Sequence, residues 1–341
     1  MADTSYSALL KAAMSGRDLS RDQTHWAFSQ IMDGAWAEAQ VAGLLVALAA
    51  KGETAAEIAG AALAMRERAA RIECGADEVI DTCGTGGTGL RTFNISTAAA
   101  MVAAGAGVKV AKHGNRTSTR PSGSADVLAA LGVNIDADAA AVARCLKEAG
   151  VCFCFAVRCH PAMKHAAPVR KALGVRTIFN LLGPLTNPAG ARRQLMGVFD
   201  GKLTARIAEV LRALGSIRAM VVHSADGLDE LSTAAATTIS ELADGRVVTR
   251  TVECGDFGIP QARLDDLLVD SAQSSAAVIR QVLAGKGGPA RDIVVLNAGA
   301  AIAVAGRAAG IAEGVAIAQR AIDSGAAAAA LEKLVALSNR D

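Results

Sequence analysis

The sequence predicts an α/β protein with a small all-helical N-terminal domain and a larger α/β domain whose central sheet is flanked by helices. Three observations support this fold class. Residues 1–72 show helical periodicity without a strand pattern, short apolar strands alternate with helices from Glu78 onward, and a glycine-rich loop follows the first strand. Such alternation is typical of a sheet covered on both faces. We therefore expect a helical domain over 1–72 and an α/β domain over 73–341.

Composition limits the classes of protein to which the chain can belong. Of its 341 residues, 52% are hydrophobic and 20% are charged, which suits a large core and argues against disorder. The net charge of +2 gives no electrostatic reason to expect a nucleic-acid partner. The seven cysteines include no C-x-x-C pair, so neither a disulfide framework nor a zinc site is indicated.

The sequence also carries no sign of export or membrane insertion. Residues 1–17 begin with polar residues and lack the apolar stretch and cleavage site of a signal peptide. Glycine and charged residues interrupt the alanine-rich runs, so no run predicts a membrane span. We expect a cytoplasmic protein without a membrane partner, whose cysteines stay reduced.

The N-terminal helices are predicted from their caps and from apolar spacing. Ser20 and Gln23 match the pattern of a capping box, and Thr54 caps a helix that extends to Arg68. Between these two points, large apolar residues recur at helical spacing. They are Trp26, Ile31, Met32, Val41, Leu44, Leu45 and Leu48.

The α/β domain is predicted from short apolar runs that alternate with helical patterns. The predicted strands are 79–83, 108–111, 150–155, 195–199, 219–223 and 293–296. The predicted helices are 98–104, 124–131, 163–173, 203–214, 311–324 and 326–337.

Two loops that follow the first two strands have the composition of a polyanion site. The loop Gly84–Gly89 contains four glycines, which let the backbone approach a ligand and expose its N–H groups. Asn94 and the hydroxyl residues after it precede a helix whose free N–H groups would face the same point. The second loop, Lys112–Arg116, adds positive charge and hydrogen-bond donors. Ligands bind at the carboxyl ends of strands in such sheets, where both loops fall.

The glycine loop has other interpretations. In the simplest, it is a tight turn without a ligand. Gly84, Gly86 and Gly89 match the dinucleotide spacing G-x-G-x-x-G, but no acid for the ribose occurs between Asp81 and Asp126. A nucleotide P-loop is disfavoured because no Gly-Lys-Ser/Thr closes the loop.

Several motifs in the same order resemble one known family. They are GTGG, TFNIST, KHGNR, SGSADVL, HPAMKHAAPVR, RTIFNLLGPLTNPA and GLDELS. From Leu19 to about Leu334 the chain resembles the anthranilate phosphoribosyltransferases, enzymes of tryptophan synthesis. The resemblance implies transfer of a phosphoribosyl group from phosphoribosyl diphosphate to anthranilate.

The resemblance also implies which residues bind phosphoribosyl diphosphate. They are Gly84, Gly87, Thr88, Thr92, Asn94, Ile95, Ser96, Thr97, Lys112, His113, Gly114, Asn115, Arg116, Thr119, Arg120 and Ser124.

A second set of residues is implied for anthranilate. It consists of Gly84, His113, Asn115 and Arg170. The planar guanidinium of Arg170 suits the carboxylate of anthranilate, although a surface salt bridge is the alternative. No catalytic residue is firmly assigned, because the amine of anthranilate is already neutral and needs positioning more than deprotonation. For His113 we favour an orienting role over that of a general base.

An acidic pair is the predicted metal site. Asp229 and Glu230 follow the strand that ends at His223. Adjacent acids in a loop are commonly only solvated, but Mg²⁺ takes one or two carboxylates together with substrate phosphates. The resemblance implies Mg²⁺ as the cofactor, bound by these two acids, with Ser96 as a hydroxyl contact to a second ion.

The resemblance also implies a protein partner. The resemblance implies a homodimer through the helical domain, and two tryptophans near one end of 6–48 favour an interface over an internal packing face. A helical segment at about 163–185 is expected to join this domain before the chain returns to the sheet. A pyrimidine nucleoside phosphorylase and a non-catalytic nucleic-acid-binding paralogue are the alternatives. The near-neutral charge disfavours the second.

The chain departs from the family pattern at two points. Thr88 stands where the family usually has Asp, and Thr119-Arg120-Pro121 replaces a pair of serines followed by a basic residue. Pro121 removes an N–H group and stiffens the loop. We expect these differences to change the affinity for phosphoribosyl diphosphate or the requirement for metal without abolishing activity.

Overall fold

The computed structural model describes residues 4–74, 79–116 and 122–340. Residues 4–72 contain helices and no strand, as predicted. Ser20 and Gln23 form the expected capping box, and Thr54 forms another with Glu57. The four helices are α1 (Tyr6–Met14), α2 (Arg21–Met32), α3 (Glu38–Lys51) and α4 (Ala55–Glu67).

A seven-stranded sheet organises the rest of the chain. Its order is β3-β2-β1-β4-β5-β6-β7, with the first five strands of this order parallel and the last two antiparallel. The carboxyl ends of β1, β2 and β4 therefore meet at one edge, near the middle of the sheet. The strands are β1 (Val79–Gly84), β2 (Lys109–Gly114), β3 (Val151–Phe155), β4 (Arg193–Gly197), β5 (Arg218–Ser224), β6 (Thr237–Ala243) and β7 (Arg246–Val252).

Helices cover both faces of this sheet. They are α5 (Ile95–Gly105), α6 (Ser124–Ala130), α7 (Ala139–Ala149), α8 (Ala156–Cys159), α9 (Ala167–Leu173), α10 (Phe179–Leu182), α11 (Thr204–Ala213), α12 (Ala272–Leu283), α13 (Pro289–Val304), α14 (Ile311–Asp323) and α15 (Ala326–Ser338). None of the helices in these ranges is long and apolar enough to cross a membrane.

Two hydrophobic cores meet at the sheet. One contains α5 and α13, whose small side chains let the helices approach each other closely. The other joins α1–α4 to α9, α10 and α11. Alternate residues of β4 face different cores, with Leu195 in the first and Met196 in the second, as the two-residue period of a strand requires. The helical part of the molecule is thus packed onto one face of the sheet.

The predicted strand at 293–296 is wrong. Ile293–Leu296 lie inside helix α13, and every residue from 293 to 304 is buried. A helix that is buried all round is apolar on every face, so a four-residue run within it has the same pattern as a buried strand. The strand predicted at 195–199 starts two residues earlier, at Arg193.

The helix predicted over 163–173 is interrupted. A 3₁₀ turn occupies Pro161–His165, and α9 begins only at Ala167. Met163 and Arg170 therefore do not lie on one continuous helical face. Pro168, at the second position of α9, favours a new helix start there. The sequence patterns also missed the hairpin β6–β7 and the helices α7 and α12.

Candidate active site

The glycine loop after β1 has the backbone conformation that its composition predicts. Gly86, Gly87 and Gly89 have φ values of 62°, 80° and 76°, a region that side-chain-bearing residues rarely occupy. Within the described residues, the N–H groups of Gly87 and Gly89 donate to no protein acceptor. Exposed N–H groups in such a loop suit an anion.

The loop that carries Asp229 and Glu230, the acidic loop, comes close to the ends of β1 and β4 because glycines stand there. Gly84 and Gly197 are paired across β1 and β4. A Cβ atom on Gly197 would lie 1.7 Å from the carbonyl oxygen of Asp229, and one on Gly84 would lie 2.6 Å from its Oδ2 atom. The carboxylate of Asp229 then accepts a hydrogen bond from the N–H of Gly86 at 3.1 Å. The predicted metal ligand and the predicted phosphate loop are in direct contact.

Asn297 of α13 holds the acidic loop through two hydrogen bonds. This buried residue of α13 accepts from the N–H of Leu231 at 3.0 Å and donates to the carbonyl oxygen of the same residue at 2.9 Å. Sequence reasoning missed Asn297, because it placed a strand just before it. A single amide within an otherwise apolar run was the available signal, since a buried amide needs partners.

A small cavity lies between these groups. Its volume is ≈ 10 Å³, and its oxygen-bearing side chains are those of Thr82, Ser96, Asp229, Glu230 and Asn297. A space of this size holds about one water molecule. Among the described residues, no three His, Cys, Asp or Glu side chains cluster to hold a metal ion. The two acids and the hydroxyl groups fit Mg²⁺ only as a partial ligand set that a substrate phosphate completes.

Lys112 fills the space behind this cavity. The side chain is buried, and its Nζ atom donates to the carbonyl oxygen of Thr82 at 2.5 Å and to Oγ of Ser96 at 3.2 Å. Burial lowers the pKa of Lys112, and the nearby carboxylates of Asp81, Glu230 and Asp229 oppose that shift. The structure thus brings Lys112 and the three predicted metal-site residues together.

His113 is buried and engaged at both ring nitrogens. Its Nδ1 atom lies 3.0 Å from the carbonyl oxygen of Gly183, and its Nε2 atom lies 3.2 Å from Nε2 of His160. A carbonyl only accepts, so Nδ1 of His113 carries the proton and Nε2 accepts from His160. Burial lowers the pKa of His113 to about 3 and that of His160 to about 4. Both rings are neutral, which fits an orienting role for His113 better than proton abstraction.

A buried carboxylate and amide join the first two strands. Asp81 accepts from the backbone N–H of His113 at 3.0 Å and from Nδ2 of Asn187 at 2.7 Å. Asn187 also donates to the carbonyl oxygen of Ala111 at 2.8 Å. Burial raises the pKa of Asp81, and these donors oppose that shift. Sequence reasoning missed this pair, although an acid inside an apolar strand signals a satisfied buried group.

The start of α5 is arranged differently from the prediction. Asn94 is the N-cap residue, but its side chain makes no capping hydrogen bond. Its Oδ1 atom instead accepts from the hydroxyl groups of Ser122 and Ser275, each at 2.8 Å. Asn94 therefore ties the start of α5 to two other segments.

The remaining predicted donor-site residues lie in varied surroundings. Thr92, Ile95 and Thr97 are buried. The carbonyl oxygen of Asn115 accepts from the hydroxyl of Ser124 at 3.4 Å, and Arg116 is an exposed partner of Asp126 at 3.5 Å. Thr119, Arg120 and Pro121 lie outside the described residues.

Arg170 is placed where a carboxylate can reach it. Its Cζ atom lies 5.4 Å from the centre of the Phe179 ring, and no acidic side chain among the described residues pairs with it. Burial lowers the pKa of Arg170. Phe179 begins α10, and the turn after α10 supplies the carbonyl that His113 binds, so Arg170 and His113 flank the same segment.

The fold and the site define a class, the glycosyltransferases that join a helical bundle to an α/β domain. A family model described as a glycosyl transferase family helical bundle domain matches residues 7–69, and its a/b domain counterpart matches residues 76–328. The chain is 52% identical over 322 residues to an anthranilate phosphoribosyltransferase of Methylobacillus flagellatus, covering 94% of each chain. The chain belongs to the anthranilate phosphoribosyltransferase family.

Other relatives and solved structures agree with this assignment. An anthranilate phosphoribosyltransferase of Thioalkalivibrio sulfidiphilus is 51% identical, covering 96% of this chain and 97% of that one. The Thermus thermophilus enzyme has a TM-score of 0.92 at 42% identity, covering 97% and 99% of the two chains. The Saccharomyces cerevisiae enzyme, solved with phosphoribosyl diphosphate and magnesium, has a TM-score of 0.88 at 28% identity, covering 98% and 99%.

Proposed function

We propose that this protein transfers the phosphoribosyl group of 5-phosphoribosyl 1-diphosphate to the amine of anthranilate. The products are N-(5-phosphoribosyl)anthranilate and diphosphate, and the reaction is the second step of tryptophan synthesis from chorismate. One observation carries the proposal: the glycine loop is held against Asp229, while the N–H groups of Gly87 and Gly89 donate to no acceptor in the part of the chain that the structure describes.

The donor binds at the carboxyl ends of β1, β2 and β4. The N–H groups of Gly87 and Gly89 face its diphosphate, and the start of α5 adds the positive end of a helix dipole. The ammonium of Lys112, which donates to Oγ of Ser96, contributes positive charge to this site. Asp229 and Glu230 would hold Mg²⁺, which would supply positive charge to stabilise the leaving diphosphate.

The acceptor binds between the helical part and the sheet. The carboxylate of anthranilate pairs with the guanidinium of Arg170, which already lies against Phe179. His113 holds its position through Gly183 and His160 and limits where the aromatic ring can lie. The amine is thereby aligned with C1 of the ribose, and catalysis rests on positioning and on stabilising the charge of the leaving group.

The domain limits are part of the same proposal. We place the helical domain at 1–72 together with the returning segment 163–185, and the α/β domain at 73–341. Ala166, Val169 and Phe179 belong to the same hydrophobic core as α1–α4, which supports this division. We also propose a cytoplasmic homodimer that forms through the helical domain.

The test of the function is the loss of anthranilate fluorescence on mixing the purified protein with phosphoribosyl diphosphate and Mg²⁺. We expect a loss that requires all three components and yields diphosphate. Absence of turnover by a folded protein would refute the transferase. Release of a base from a pyrimidine nucleoside with phosphate, or salt-sensitive DNA binding, would then identify one of the two alternatives.

The metal assignment has its own test, a Mg²⁺ titration of variants. Asp229→Asn keeps an oxygen acceptor for the N–H of Gly86 but removes the charge, so we expect kcat/KM to fall on the order of a hundredfold. Asp136→Ala, at an exposed acid in the loop between α6 and α7, is the control. Thr88→Asp restores a carboxylate and should lower the Mg²⁺ concentration that gives half-maximal rate. Titration curves identical to that of the wild type would contradict both expectations.

A further inference from the structure

Arg176 contacts the tip of the glycine loop from the segment between α9 and α10. Its Nη2 atom donates to the carbonyl oxygen of Gly87 at 2.6 Å. Its Cζ atom lies 4.3 Å from the centre of the Phe199 ring, so the guanidinium plane rests on an aromatic face. The aromatic contact limits the directions that the N–H groups of this otherwise exposed side chain can take.

Phe199 is itself tied to the same loop. Its backbone N–H donates to the hydroxyl of Thr85 at 3.0 Å, and that hydroxyl donates to the carbonyl oxygen of Gly86 at 3.2 Å. The N–H of Thr85 donates to the carbonyl oxygen of Gly197 at 2.9 Å. The surface on which Arg176 rests and the loop that it contacts are therefore parts of one hydrogen-bonded unit.

These contacts determine where the N–H groups of the loop point. The C=O and N–H of a trans peptide point in opposite directions. Because the Gly86 carbonyl faces Thr85, the N–H of Gly87 points away from Thr85. Because the Gly87 carbonyl faces Arg176, the N–H of Thr88 points away from Arg176. Without Arg176, the peptide group between Gly87 and Thr88 would lose this constraint, and Gly87 could adopt other backbone conformations.

We propose that Arg176 is a positioning residue for the transfer reaction, holding the glycine loop in the conformation that receives the diphosphate of the donor. Arg176 lies six positions after Arg170, the proposed ligand of the acceptor carboxylate. The segment that holds the acceptor therefore also holds the donor loop. This inference rests on the proposed function, and it adds a residue to which the resemblance assigned no role.

The test compares steady-state kinetics of Arg176→Ala and Arg176→Lys with those of Lys171→Ala. Lys171 is an exposed cation of the adjacent helix α9 and makes no contact with the loop. We expect Arg176→Ala to raise the KM for phosphoribosyl diphosphate about tenfold, as the loss of a charged hydrogen bond predicts. Its kcat and melting temperature should stay close to those of Lys171→Ala. Arg176→Lys should recover only part of the KM, because an ammonium does not stack and donate in the same plane.

Chemical rescue separates positioning from a structural role. Millimolar guanidinium chloride should lower the KM of Arg176→Ala, and sodium chloride at the same ionic strength should not. An unchanged KM in Arg176→Ala would overturn the inference. So would a loss of activity that follows a lowered melting temperature and is restored neither by lysine nor by guanidinium. An inactive wild type would instead count against the proposed function, since the variants are compared only with an active parent.

Discussion

His113 and His160 show how surroundings decide the chemistry of a side chain. A histidine in a basic loop suggests a general base, and the sequence left that role open beside an orienting one. In the structure each ring is buried and neutral, and Nε2 of His160 lies 3.2 Å from Nε2 of His113. Two buried rings held in this way favour the proposed orienting role of His113 over that of a general base.

This pair predicts a dependence of stability on pH. Both histidines have folded pKa values below the ordinary value of about 6.5, so the unfolded chain binds more protons below that pH. Stability is therefore fully present above about pH 6.5 and is lost as the pH falls toward 4. We expect the free energy of unfolding to drop by about 4 kcal/mol between pH 7 and pH 5.

The measurement is urea unfolding at several pH values. His160→Gln should remove about half of the decrease, because one neutral buried imidazole is lost. His165→Gln, at an exposed histidine of the same segment, is the matched control. A profile that is flat in the wild type would contradict the neutral pair.

Individual site residues could be predicted only where they stand in a motif. The glycine loop, Lys112, Ser96 and the acidic pair were predicted from the sequence, and the structure brings them together. Asp81 and Asn187 were not, because their hydrogen bond joins residues 106 positions apart. Arg176 opens the motif RTIFNLLGPLTNPA, in which the resemblance assigned no binding residue. Nothing in sequence spacing reveals which distant carbonyl an arginine will meet.

At the level of elements, α13 explains both the wrong prediction of a strand at 293–296 and the position of the acidic loop. Its apolar run was interpreted as a strand because burial on all sides removes helical periodicity. The same burial requires close packing. A Cβ atom on Gly314 of α14 would lie 2.2 Å from the carbonyl oxygen of Gly299 in α13, so these helices touch through their backbones.

This contact predicts the effect of adding one methyl group. Gly314→Ala should lower the free energy of unfolding by about 3 kcal/mol, since the neighbouring atom belongs to the backbone and cannot rotate away. Gly287→Ala is the control, because no atom lies within 4 Å of its added Cβ. Equal melting temperatures for the two variants would show that the helices can separate without cost.

At the level of the whole molecule, a half-buried arginine of the helical part contacts the turn after α10 and the end of α11. Arg66 of α4 donates to the carbonyl oxygen of Leu185 at 2.6 Å and to that of Leu214 at 3.3 Å. Burial lowers its pKa to about 10. The two-part architecture was predicted from the switch in periodicity near residue 78. How the parts pack was not, because their shared core includes β4, β5 and α11.

The proposed dimer gives a test at this scale. Val46 of α3 is 46% exposed, although its neighbours Leu44 and Leu45 are fully buried. If α3 forms part of the interface, Val46→Glu should shift the protein from dimer to monomer in analytical ultracentrifugation, because it buries an unpaired charge. Val248→Glu, at a valine of β7 that is 61% exposed, should leave the mass unchanged. A wild type that sediments as a monomer would refute the homodimer.

The outer strand β7 bears on how the protein behaves when crowded. It pairs with β6 on one side only, and most of its residues are exposed. An unpaired strand edge is a template on which another chain can add, which is the first step toward fibrous aggregates. Arg246 and Arg250 place positive charges along this edge, and a second copy would bring the same charges. Like-charge repulsion therefore protects a concentrated solution from edge-to-edge growth.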